Sequence, residues 1–84
     1  MPKYLDHHKV PAGITPEAIK QMTADIKAGK VGPGGVKALN SFIGKNEAWC
    51  FVEAPNAQAV HKLHEDGYKL KLGPGDVVEV TSFV

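Results

Sequence analysis

Arginine is absent from this sequence of 84 residues, and its ten basic residues are all lysines, set against nine acids for a net charge of +1. Without guanidinium forks the chain is poorly equipped to grip phosphates or to read base edges, which argues against a nucleic-acid partner. Cysteine is nearly absent as well. Cys50 stands alone, so it can close no internal disulfide and build no cysteine-rich zinc site. A reducing compartment, the cytoplasm, is therefore expected. No apolar run approaches the ~20 residues that span a bilayer. Met1-Pro2-Lys3-Tyr4 leads into Asp6, His7 and His8 rather than an apolar stretch, so neither a membrane partner nor a signal peptide is expected. Internal repeats and low-complexity segments are missing too.

What remains is ordinary globular composition, 43% hydrophobic and 23% charged. The length suits a single domain over residues 1–84. Its core must be thin, because a chain this short buries only roughly 60% of its unfolded surface.

Tyr4 to Val10 reads as a first strand, bounded by Pro11-Ala12-Gly13. Thr15 is placed to cap a helix that has Pro16 at its first position and Glu17 in its first turn. Ile19, Met22 and Ile26 recur at helical spacing, and Gly29 can end the helix. Gly29 to Gly35 is a flexible joint whose glycines match neither a dinucleotide-binding nor a P-loop pattern, so it reads as a turn. Val36 to Ile43 and Glu47 to Ala54 form two strands of a hairpin about Gly44-Lys45-Asn46. Asn56 caps a second helix with Val60 and Leu63 inward, which Gly67 is expected to stop. Val77 to Val84 closes the chain as a last strand. The order β-α-β-β-α-β predicts an α+β, ferredoxin-like fold with both helices on one face of a four-stranded antiparallel sheet.

Side chains alternate along a strand, so each strand can be sorted between the packed and the open face. Alternation places Leu5, Leu39, Ile43, Ala48, Cys50, Val52, Val78 and Val80 against the helices. It leaves Tyr4, Phe42, Trp49 and Phe51 on the open face with Asp6, His8, Asn40, Glu53 and Glu79. Four large aromatics on a small domain need a cover, most simply a second copy of the same sheet. A homodimer through this face is expected.

Three uses of such a face compete. RNA-recognition motifs share the topology and stack bases on open-face aromatics, but Asp6, Glu53 and Glu79 would repel phosphate. A metal site is the second: Asp6 and His8 are two apart on one strand and point the same way, and Glu53 or Asn40 can complete the set from neighbouring strands. Its bland counterpart is a hydrogen-bonded pair at a subunit interface. The third is a small-molecule pocket or cofactor-free enzyme with His8 or Asp6 as proton acceptor among the aromatics, although no nucleophile motif or cofactor fingerprint supports a reaction. On the second helix, His61 and His64 are neighbours. His64 falls on the stripe of Val60 and Leu63 and reads as an edge-of-core residue, His61 as a solvated one, and Cys50 as a small core residue.

Several segments resemble a family of small bacterial proteins, mostly of unknown function, that includes a nickel-binding member. They are Lys3-Tyr4-Leu5-Asp6-His7-His8, Gly13-Ile14-Thr15-Pro16-Glu17 and Cys50-Phe51-Val52-Glu53-Ala54-Pro55-Asn56-Ala57, continuing through Ala59-Val60 to His64 and Asp76-Val77-Val78-Glu79-Val80. The resemblance implies a dimeric ferredoxin-like protein that binds a divalent metal, with nickel as the named candidate. It also implies that Asp6, His8, Cys50, Glu53 and His64 occupy the family's recurrent polar positions. Of these, Asp6, His8 and Glu53 also lie on the inferred open face and are the expected ligands. Asn40 and Phe42 stand where the family often has a histidine followed by an aromatic, a departure that would weaken nickel binding or remove it.

Overall fold

Helix boundaries follow the capping chemistry closely. In a computed structural model, which describes residues 1–10 and 14–82, the Thr15 hydroxyl accepts the Ala18 N–H at 3.1 Å and α1 (Pro16–Ala28) begins on that cap. Gly29 ends it in the left-handed region at φ 67°, a conformation that costs glycine little. Asn56 caps α2 (Ala57–Tyr68) by accepting the Ala59 N–H at 2.9 Å. Gly67 does not stop this helix. The chain continues one residue further, and Lys69 takes the left-handed position at φ 57° while the Leu70 N–H returns to the His64 carbonyl. The joint between Gly29 and Gly35 folds into a single 3-10 turn at Pro33–Gly35, with Gly34 and Gly35 both at positive φ.

The strands are β1 (Lys3–Lys9), β2 (Lys37–Ile43), β3 (Glu47–Glu53) and β4 (Val77–Val80). They pair antiparallel in the order β2-β3-β1-β4, so the element order β-α-β-β-α-β gives the expected ferredoxin-like α+β fold. Of the expected last strand, Phe83 and Val84 lie outside the described residues, as do Pro11-Ala12-Gly13.

Register decides the two faces, and it corrects half of the expected alternation. On β3, Ala48 and Val52 are buried and Cys50 packs beside the core, as expected. On β1 the faces are reversed. Tyr4, Asp6 and His8 stand opposite Val52, Cys50 and Ala48, so all three lie beneath the helices. Tyr4 joins Val52, Val77 and Val60 of α2 in the core instead of lining an open face. Leu5, expected inside, is 38% exposed and faces away. β4 is reversed too: Val77 is buried opposite Asp6, whereas Val78 is exposed opposite Leu5, and Glu79 is opposite Tyr4. On β2 a register shift between Ala38 and Asn40 leaves Leu39 as an extra residue. Ala38, Ser41 and Ile43 consequently meet the inward residues of β3, while Asn40 and Phe42 stand opposite Phe51 and Trp49.

The physical cause of the reversal on β1 is a buried polar group. Alternation sends charge to solvent by default, but Asp6 and His8 are compensated from α2 and can be buried. The open face therefore carries Leu5, Phe42, Trp49, Phe51 and Val78, with the His7 ring stacked on Trp49 at 5.1 Å. Among the described residues no helix is long and apolar enough to cross a membrane.

Candidate metal centre

Three elements bring four donor side chains to one point under α2. β1 supplies Asp6 and His8, whose spacing of two keeps both on the inner face. β3 supplies Cys50 directly across from Asp6. α2 supplies His64, one turn beyond the fully buried Val60, so the Asn56 cap that fixes the helix start also fixes the imidazole over the sheet. One ligand atom from each of Asp6, His8, Cys50 and His64 falls within 4.8 Å of all the others. Two ligands on opposite sides of one ion, with bonds of about 2.0–2.3 Å, stand roughly 4–4.6 Å apart, so the four can converge on a single ion with small adjustments.

Hydrogen bonds orient these groups. His8 Nδ1 lies 2.8 Å from Asp6 Oδ1, and His64 Nε2 lies 3.4 Å from the same oxygen. His64 Nδ1 donates to the Val60 carbonyl at 2.8 Å, since a carbonyl only accepts. That bond leaves Nε2 as the nitrogen that can take a metal, the usual arrangement for a ligating histidine held by a backbone oxygen. The Ser41 hydroxyl lies 3.3 Å from the Cys50 sulfur. Asp6 is fully buried, yet its second oxygen, Oδ2, has no hydrogen-bond partner. An unpaired buried carboxylate oxygen is costly and calls for a counter-charge or a ligand.

The electrostatics are those of a buried ion pair. Burial by itself would raise the Asp6 carboxyl, but hydrogen bonds and positive charge from His64 and His8 outweigh it and hold the carboxyl below its usual range. Burial would likewise lower His64. Hydrogen bonding to Asp6 and Cys50, the Asp6 charge and the Val60 carbonyl reverse this and push the imidazole up to about 10.

The expected ligands divide accordingly. Asp6 and His8 come together, but on the inner face. Glu53 is on the opposite side of the sheet, paired in register with Lys3, whose ammonium is 4.0 Å away. Phe42, Trp49 and Phe51 stand on the open face, away from the four donors, while Asn40, beside the register shift on β2, borders the space beneath α1. His61 is half-buried on α2 and outside the cluster. The sequence pattern places Cys50 in the core and His64 at its edge, and neither is among the expected ligands. The signal for His64 was its place on the Val60 stripe, and for both it was their match to the recurrent polar positions.

A family model described as SCO4226-like, nickel responsive protein SCO4226-like, matches residues 4–79. Neither the curated proteins nor the solved structures contain a match to the chain.

Proposed function

Because the chain belongs to the SCO4226-like nickel responsive protein family, we propose that it is a divalent-metal-binding protein whose ion is held by Asp6, His8, Cys50 and His64. The observation that carries this reading is the fully buried Asp6 carboxylate, with one oxygen unpaired and two imidazoles and a thiol beside it. A carboxylate, two imidazoles and a thiolate make a mixed oxygen, nitrogen and sulfur set suited to nickel, copper or zinc rather than to magnesium or calcium. The family's description makes nickel the leading candidate. The ion would supply the positive charge that Asp6 and the Cys50 thiolate lack once His64 has given up its proton.

The same reading includes a cytoplasmic homodimer and assigns it no particular enzymatic reaction. Leu5, Phe42 and Val78 are exposed at 38%, 56% and 56%, and together with Trp49 and Phe51 they make an apolar sheet face that a second copy can cover. Such a contact is isologous, each patch meeting its own copy. In this arrangement Glu53 sits beside the dimer contact rather than at the ion.

Calorimetric titration with nickel of the wild type and of Cys50→Ser, His64→Gln and Glu53→Gln tests the assignment. The first two variants should lose most of the binding and Glu53→Gln should keep it. Equal binding by His64→Gln would overturn the proposed site. A wild type that takes up no divalent ion would reduce the cluster to a structural hydrogen-bond network.

A further inference from the structure

α1 rests on the edge of the sheet without filling the space beneath it. None of its residues is fully buried, although Ile19, Met22 and Ile26 are spaced to face inward. The sheet residues below are small, with Ala38, Ser41 and Cys50 where a core would have leucines. The result is a cleft of about 240 Å³ between α1 and α2, walled by Met22 and Ile26 on one side and Leu63 and Tyr68 on the other. Interiors of folded proteins leave few voids larger than a water molecule, so a space of this size is one that a ligand can use.

The lining limits what that ligand can be. The walls are chiefly aliphatic, which suits an apolar body. Asp25 and Lys30, the charged residues on the solvent side, are paired with each other at 4.0 Å, and Asp25 also accepts from the Gln21 amide. At the inner end His64 is compensated by Asp6, so neither end offers an unmatched charge to an ionic ligand. Asn40 also borders the cleft. Its side-chain oxygen accepts the Ser41 N–H at 2.8 Å, which leaves its NH₂ donors with no partner among the described residues. A cavity of roughly 150 Å³ accommodates benzene, so this one has room for a ring with a short substituent, about ten non-hydrogen atoms.

We propose that the cleft between α1 and α2 is a binding site for an uncharged, mainly apolar small molecule whose carbonyl oxygen accepts from Asn40. The proposal does not rest on the metal reading, since it needs no ion, although Cys50 and His64 border this cleft as well.

Acetophenone is a suitable probe, titrated into the full chain with EDTA present and followed by amide chemical shifts. Saturable shifts centred on Ala38, Cys50 and Leu63 are expected, with benzoate at least tenfold weaker because the cleft offers its charge no partner. Ala38→Phe, which fills the floor, should weaken acetophenone at least tenfold. Asn40→Leu changes an exposed residue and should cost roughly three- to tenfold for acetophenone while leaving ethylbenzene, which has no carbonyl, unchanged. If Ala38→Phe fails to fold, the Asn40→Leu comparison decides. Shifts that appear instead around Leu5 and Trp49, equal binding of benzoate, or an Asn40→Leu variant that treats both probes as the wild type does would overturn the proposal.

Discussion

Asp6 stands directly across the β1–β3 ladder from Cys50, on the face that α2 covers, so a carboxylate and a thiol are buried neighbours in a domain with little core to spare. Removing the carboxylate charge strands the His64 imidazolium in an apolar setting. Asp6→Asn should therefore destabilise the metal-free protein by roughly 3 kcal/mol at neutral pH, the scale for breaking one partner of a buried pair. Urea unfolding of both proteins measures it. A change within the scatter of surface substitutions would mean that the pair is not buried.

The same pair sets a pH dependence. His64 is raised from 6.5 to about 10 on folding, so its contribution to stability is fully present below about 6.5 and is lost as pH climbs through about 10. In that window the folded state holds the proton that the unfolded state has released, and stability falls by up to about 1.4 kcal/mol per pH unit. Asp6, lowered on folding, acts at the other end: its contribution is present above the ordinary carboxyl value of 3.8 and fades as pH falls below it. The melting temperature of the metal-free chain should decline from pH 7 to 10. His64→Gln should remove most of that slope.

Metal uptake must displace protons. A histidine that is protonated at neutral pH and a thiol both have to be deprotonated before they can bind an ion. Nickel titration at pH 7 should release at least the His64 proton for each ion bound, visible as a dependence of the calorimetric enthalpy on the buffer's ionisation enthalpy. Affinity should rise with pH over the same range in which the metal-free protein loses stability. A binding enthalpy independent of buffer would exclude His64 as a ligand.

Association through the sheet is open to a clean test, because Phe42 and Val78 are already exposed at 56% each and contribute little to the monomer's own core. Phe42→Asp and Val78→Asp should leave the unfolding midpoint of the monomer nearly unchanged. They should shift sedimentation at tens of micromolar from a dimer to the 9.0 kDa species. A wild type that sediments only at 9.0 kDa would remove the dimer from the proposal.

Lys69 offers a stability gain. It holds the left-handed position that ends α2, at φ 57°, where a side chain costs about 1–2 kcal/mol relative to glycine. Part of that is returned by the greater freedom of glycine in the unfolded chain. Lys69→Gly should therefore raise stability by about 0.5–1 kcal/mol, read from chemical denaturation.

Much of this architecture was legible in the sequence. Thr15 and Asn56 announce their helices because capping is local chemistry, and the glycine-rich turn between Gly29 and Gly35 is equally local. The α+β topology followed from the order of those elements. The faces of β1 and β4 were misread because alternation assumes that polar side chains seek water, and the partner that lets Asp6 be buried sits on α2, 58 positions away in the chain at His64. One misplaced strand then propagated. Alternation groups Asp6 and His8 with Glu53 on the open face, whereas the register groups them with Cys50 and His64 under α2 and leaves Glu53 on the other side. The extra residue at Leu39 on β2 had no sequence signal, since neither glycine nor proline marks it.

The bond from His64 Nδ1 to the Val60 carbonyl closes within α2 itself, one turn back along the helix. The imidazole cannot turn about its own axis without giving up that bond, so its aim is a property of the helix rather than of the pocket around it. α2 thus behaves as a handle with the ring fixed to its shaft. Any force that an occupant exerts on His64 is borne by the helical backbone between Val60 and Lys69, and the same helix forms one wall of the cleft beneath α1. Tilting that single rigid element would change the reach of the imidazole and the width of the cleft in one movement.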